Sequence, residues 1–149
     1  MADAMSDVLG VAEKYGGMPD QTRAVALMDP QTPSKSLDIL GRCDRKESCE
    51  SATTISGLPQ KLHLFNGELL NARINSPDGR LDKWIRLGKS AEKIIRDYYR
   101  LALGRSPSEI EMQHWRVQLK KDDSAKGQRA FLEDFVWALL TSKEFGTNH

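Results

Sequence analysis

The chain has 149 residues, enough for one domain with a modest hydrophobic core. Lys and Arg number 22 against 21 Asp and Glu, a formal charge of +1, so no global field favours nucleic acid or an anionic membrane. Hydrophobic residues make up 39%, above the disordered regime, and no apolar run approaches the roughly 18 residues that span a bilayer.

Met1–Val11 lacks the basic start and apolar stretch of a signal peptide, so the chain as written is expected to stay where it is made. It opens directly into a helical pattern (Ala4, Val8, Val11, Ala12), as expected of a piece cut from a longer protein. From Gly16 to Gly57 Ser and Thr are frequent and helical periodicity is poor. Thr22–Met28 reads as a short strand, followed by a connection punctuated by Pro30 and Pro33 and a short apolar stretch, Leu37–Leu40.

Cys43 and Cys49 are the only cysteines, in the polar stretch GRCDRKESCE (Gly41–Glu50). Joined, they would close a small loop and contribute about 2 kcal/mol through lost chain entropy, less any strain. Two free thiols are the other reading, and nothing in their spacing decides between the two. Two thiolates do not complete a tetrahedral zinc shell, and His63, His114 and His149 fall at no finger spacing, so no metal is expected.

From Leu58 the pattern turns helical. Leu58, Leu62, Phe65 and Leu69 recur at helical spacing until Asn75–Gly79 (NSPDG) supplies a turn. Arg80–Leu87 carries Leu81, Trp84 and Ile85 on one side and stops at Gly88. Ser90 caps a helix whose apolar side holds Ile94, Ile95, Tyr98, Leu101 and Ala102 and which ends at Gly104. Ser106-Pro-Ser-Glu109 reads as a capping box with Pro107 at the first helical position, opening a helix that bears Met112, Trp115 and Leu119. The last helix, through Phe131, Leu132, Phe135, Val136, Trp137, Leu139 and Leu140, is the most apolar and is expected at the centre, with Asn148-His149 as a polar tether. The expected fold is mainly α, a helical domain of about five helices with a loop-rich N-terminal third and room for one short strand pair. Residues 1–149 read as a single domain, 1–57 irregular and 58–149 helical, forming a portion of a larger one.

The order GVAEKYGG, TRAVALMDP, SLDILGRCDRKESCE, LPQKLHLFNGELLN, INSPDGRL, YYRLALGRSPSEIE and FVWALLTSKEFGTNH resembles the C-terminal part of domain-of-unknown-function family 1553. That family occurs in large planctomycete-type proteins that often also carry a cytochrome-c-like domain. The resemblance implies an exported parent protein and carries no established activity. In the family pattern a C-x-C pair followed by Glu and Arg stands near this point. Cys49 matches its first cysteine, Ser51 takes the place of the second, and Cys43 lies where a Pro is common. The resemblance thus implies a rearranged Cys43–Cys49 staple and weakens any redox or metal role for a vicinal pair. A weaker similarity links YYRLALGRSPSEIEMQHW to a helical module of bacterial surface proteins, with Gly104 for the turn, Arg105 toward carbonyls and Pro107 starting the next helix.

His63 and Asn66, three apart on one helix surface, form a candidate polar pair beside Gly67, with Arg42 and Arg45 completing a candidate ligand-binding set. The favoured reading of the same residues is structural: His63 caps or bridges the cysteine-containing segment and Gly67 permits close packing. Asp44, Glu47 and Glu50 alternate with Arg42, Arg45 and Lys46, which suggests local charge pairing rather than a cation site. Arg80–Arg105 is the most basic stretch and the candidate for an anionic partner. Its aromatics fall on the apolar side, so nucleic acid is not expected. With no G-x-S-x-G, P-loop or H-E-x-x-H pattern, no catalytic residue and no cofactor are assigned. The expected role is a non-catalytic structural or interaction module of a larger exported protein, its partners being other domains of that protein, a polysaccharide or another protein. The rival is a fragment of an extracytoplasmic enzyme with a site near His63, Asn66 and the Arg42–Glu50 loop.

Overall fold

Apolar residues at positions 94, 95, 98, 99 and 102 form a stripe that returns every three to four residues, and a helix bearing it must bury that stripe. The computed structural model, which describes residues 1–29, 32–34, 36–37, 68–122 and 124–148, shows how. Its helices are α1 (Ala2–Leu9), α2 (Glu68–Ile74), α3 (Arg80–Arg86), α4 (Ala91–Leu103), α5 (Glu109–Leu119), α6 (Ala125–Leu140) and α7 (Lys143–Asn148). The protein is mainly helical, and no strand occurs among the described residues. Cys43, Cys49, Arg42, Arg45, His63, Asn66, Gly67 and His149 lie outside the described residues, as does the helix start expected at Leu58–Phe65.

The stripe of α4 packs against α6, which presents Leu132, Phe135, Val136, Leu139 and Leu140. Ile94, Ile95, Tyr98, Ala102 and Val136 are fully buried, each large side chain contributing about 1.5–3 kcal/mol. The expectation of a central last apolar helix holds for α6, which also touches α2, α5 and α7. Phe135 is the hub of an aromatic cluster. Its ring stacks near Tyr99 (6.1 Å, 24°) and meets Tyr98 (6.3 Å) and Trp115 (5.0 Å) edge to face. A further short helix, α7, follows α6 and drives Phe145 into the core.

Helix ends follow local chemistry. Gly104 closes α4 in the left-handed conformation (φ 69°), its N–H donating to the Arg100 carbonyl, a geometry disfavoured for residues with a Cβ. The capping box lies two residues later than expected: Ser108, not Ser106, is the N-cap of α5, with Glu111 as its partner. Two boxes are nested in this sequence, Ser106–Glu109 and Ser108–Glu111. The second prevails because Glu111 can meet Arg105 as well as the Ser108 N–H.

The expected strand at Thr22–Met28 is instead a 3-10 turn over Ala24–Ala26. The Asp3 carboxylate of α1 accepts from the N–H groups of Ala24 (2.7 Å) and Val25 (3.0 Å), which curls the backbone. Val25 and Met28 are 83% and 91% exposed, so the apolar run has no buried face to hold it extended. The helix opening the chain also stops earlier than its periodicity suggested, at Gly10, leaving Val11 and Ala12 beyond it.

Candidate functional site

The basic stretch Arg80–Arg105, the one candidate region lying largely within the described residues, separates into cations that hold the fold and cations that face a groove. Arg80 belongs to the first kind. Its Nε donates to the Val8 carbonyl (2.9 Å) and its Nη2 to that of Asp7 (2.7 Å), satisfying the C-terminal end of α1. Arg73, on α2, holds the same helix from another side, donating through Nη2 to Ser6 Oγ within α1 and to the Val11 carbonyl just beyond it, both at 2.6 Å. Burial lowers the Arg73 pKa, opposed by the nearby Glu13 and Tyr15.

Asp82 is a buried carboxylate on α3. Arg129 of α6 donates to its Oδ1 (3.0 Å), while Arg86 Nε stands 2.7 Å from Oδ2 as an ion pair without hydrogen-bond alignment. Lys89 Nζ sits 3.1 Å from Asp97 and 4.0 Å from the Trp84 ring centroid, so one ammonium serves both an ion pair and a cation–π contact.

Arg105 is the most heavily engaged of these side chains. It makes one contact of the kind the surface-protein similarity suggested, Nη1 donating to the Ser106 carbonyl at 3.3 Å, but its main partners are carboxylates. Nε and Nη2 donate to Glu144 of α7 (2.7 and 2.8 Å), and Nη1 and Nη2 donate to Glu111 of α5 (both 2.9 Å). The guanidinium also lies 5.3 Å from the Tyr99 ring centroid. Hydrogen bonds from Arg105, opposed by some burial and helped by Ser108, hold the Glu111 carboxyl down at about 2. The Glu144 carboxyl is lowered by the same guanidinium, and the Arg105 pKa is raised chiefly by Glu144 and then Glu111. Tyr99 extends the network inward: its hydroxyl donates to Glu111 (3.3 Å) and accepts from Trp115 Nε1 (3.1 Å). Burial raises the Tyr99 phenol pKa.

Among the described residues, hollows of two kinds can be traced at the surface. A groove of about 780 Å³ runs along the outer side of α4 and is lined by Lys93, Arg96, Arg100 and Lys120 together with Glu92 and Asp97. Beside α6, Asp134 and Trp137 border both a hollow of about 480 Å³ shared with Asn71, Asn75 and Glu133 and one of about 420 Å³ shared with His114 and Gln118. His114 packs edge-on against Trp115, 4.9 Å between centroids.

The candidate ligand set of His63, Asn66, Arg42 and Arg45, and the candidate cysteine pair, fall outside the described residues. Among the described residues no group of three or more His, Cys, Asp or Glu side chains is placed to hold a metal. No helix there is long and apolar enough to cross a membrane. Sequence reasoning missed Glu111, Glu144 and Asp82 as partners. Only Glu111 left a local signal, the second of the two nested capping boxes.

Fold and site together define a helical module in which motif-like residues, Gly104, Arg105 and Glu111 above all, form joints between helices. No protein-family model, no curated protein and no solved structure matches the chain.

Proposed function

We propose that this chain is a non-catalytic structural or interaction module of a larger exported protein, akin to the C-terminal part of the domain-of-unknown-function family 1553 that its motif order resembles. The observation that carries the reading is the Arg105 clasp. The guanidinium in the most distinctive turn, LALGRSPSE, has its donors directed at Glu111 and Glu144 and its face toward Tyr99. A side chain so committed positions α5 and α7 against α4 rather than waiting for substrate. Arg73, Arg80 and Arg129 are used in the same way, each joining two elements distant in sequence.

The reading is tested at His63 and Asn66. If the role is structural, His63→Ala and Asn66→Ala should each lower the melting temperature. A melting temperature unchanged by both, with loss of a hydrolytic or ligand-binding activity measured in the full-length parent protein, would point to an enzyme fragment instead.

A further inference from the structure

We propose that the groove along α4 docks an acidic polypeptide segment, a partner for the interaction module proposed above, on which this inference rests. Two walls of the groove carry cations: Lys93, Arg96 and Arg100 on α4, and Lys120 at the end of α5. The two acids in the lining are already occupied. Glu92 accepts from Arg116 Nε (3.0 Å) and Nη2 (3.2 Å), and Asp97 pairs with Lys89 at 3.1 Å. Arg116, which Glu92 shares with Glu109, and Lys89 both lie outside the lining. Of the groove's own cations Arg96 adds a longer pairing to Glu92 at 3.6 Å, so four lining cations still face two acids whose shortest contacts come from elsewhere. Lys93, Arg100 and Lys120 have no carboxylate partner among the described residues. The groove therefore presents positive charge although the chain as a whole is nearly neutral.

Spacing and composition select the partner. Lys93, Arg96 and Arg100 occur at i, i+3 and i+7 and rise along one side of α4 over about 10 Å, the length of roughly three residues of extended peptide. An extended segment with acidic side chains two to three residues apart can meet this row while Lys120 closes from the other wall. Leu119, half-buried in the lining, offers an apolar contact to an intervening side chain. A single-stranded nucleic acid would be served by an aromatic stacking platform, as would a sugar chain. The aromatics of α4, Tyr98 and Tyr99, are buried in the core, and no aromatic residue lines the groove.

The test is fluorescence anisotropy with a labelled hexaglutamate peptide, comparing the unsubstituted protein with K93E/K120E and with the charge-matched control K14E/K143E, whose sites lie outside the groove lining. Saturable binding that weakens with salt is expected, falling about tenfold or more in K93E/K120E and within about twofold of the original in the control. If circular dichroism shows K93E/K120E to be unfolded, K93Q/K120Q replaces it, with a several-fold loss expected. The proposal is overturned by absence of saturable binding, by equal loss in the groove and control variants, or by tighter binding of an oligothymidylate or oligogalacturonate of equal charge. None of these outcomes touches the melting-temperature test at His63 and Asn66, so the module reading stands or falls separately.

Discussion

The two sides of α4 are held by different physics. Its inner side meets α6 through Ile94, Ile95, Tyr98 and Ala102 against Phe135, Val136 and Leu139, an apolar seam closed to water. Its C-terminal end meets α5 and α7 through one guanidinium and two carboxylates at the surface, with side chains 32–42% exposed. Burial is strong and tolerant of direction; charged hydrogen bonds in contact with water are weaker but fix angle and register. The seam therefore carries most of the stability. The clasp, together with the buried Phe145, sets where the short last helix sits.

Phe135→Ala should have the largest effect, because it empties the hub of the aromatic cluster. A loss of about 3–5 kcal/mol in urea unfolding is expected, and a loss below about 1 kcal/mol would remove the seam from its central place. Arg105→Met keeps the aliphatic stem and removes the fork. It should cost about 1–2 kcal/mol after allowing for solvent screening. Amide exchange should quicken in α7 and the α4–α5 turn while the α4–α6 seam stays protected; uniform acceleration would contradict the division between the two regions.

The clasp also predicts a dependence on pH. The Glu111 carboxyl titrates near 2 in the folded protein, below its ordinary value. Its contribution is present above the ordinary carboxylate range and is lost as pH falls from about 5 toward 2, a difference of about 1–2 kcal/mol once exposure is considered. Melts of the original protein and of Glu111→Gln should diverge at neutral pH and converge in acid. Parallel curves would show that the pair does not stabilise the fold.

The smallest effect separates two neighbouring tyrosines. The Tyr98 hydroxyl is buried with no hydrogen-bond partner among the described residues, whereas that of Tyr99 links Trp115 to Glu111. Tyr98→Phe should leave stability unchanged or raise it by up to about 1 kcal/mol, and Tyr99→Phe should lower it by about 1 kcal/mol. The opposite order, read by denaturant midpoint, would reverse the assignment of seam and clasp.

Local signals made much of the helical half legible. Gly88 and Gly104 both take positive φ where the pattern ended a helix, and the stripe of α4 announced most of its buried face, although Leu101, read into that stripe, is 43% exposed. Legibility failed where the deciding partner is distant. Locally Ser106, followed by Pro107, reads as the better cap, and Glu111's contact with Arg105, which accompanies the choice of Ser108, is visible only in three dimensions. Thr22–Met28 has strand-like composition, but a carboxylate some twenty residues earlier turns it. Phe145 follows α6 in a stretch too short for periodicity to mark it as buried. Of the candidate surface, the basic residues were visible in sequence. Which of them were already paired was not, because Arg116 and Glu92 are 24 residues apart.

The anchoring of α1 has a consequence for how the molecule could be divided. Arg80 grips the carbonyl end of α1 and Arg73 holds Ser6 and the Val11 carbonyl just beyond the helix, from 62 to 73 residues away. Closure entropy grows only logarithmically with chain length, so doubling such a separation adds only about 0.6 kcal/mol. The seat of α1 is thus defined by a ring of donors, not by the covalent path that leads to it. In the language of split proteins, the cradle for α1 is a receptor built into the helical half, and the helix is its tethered ligand.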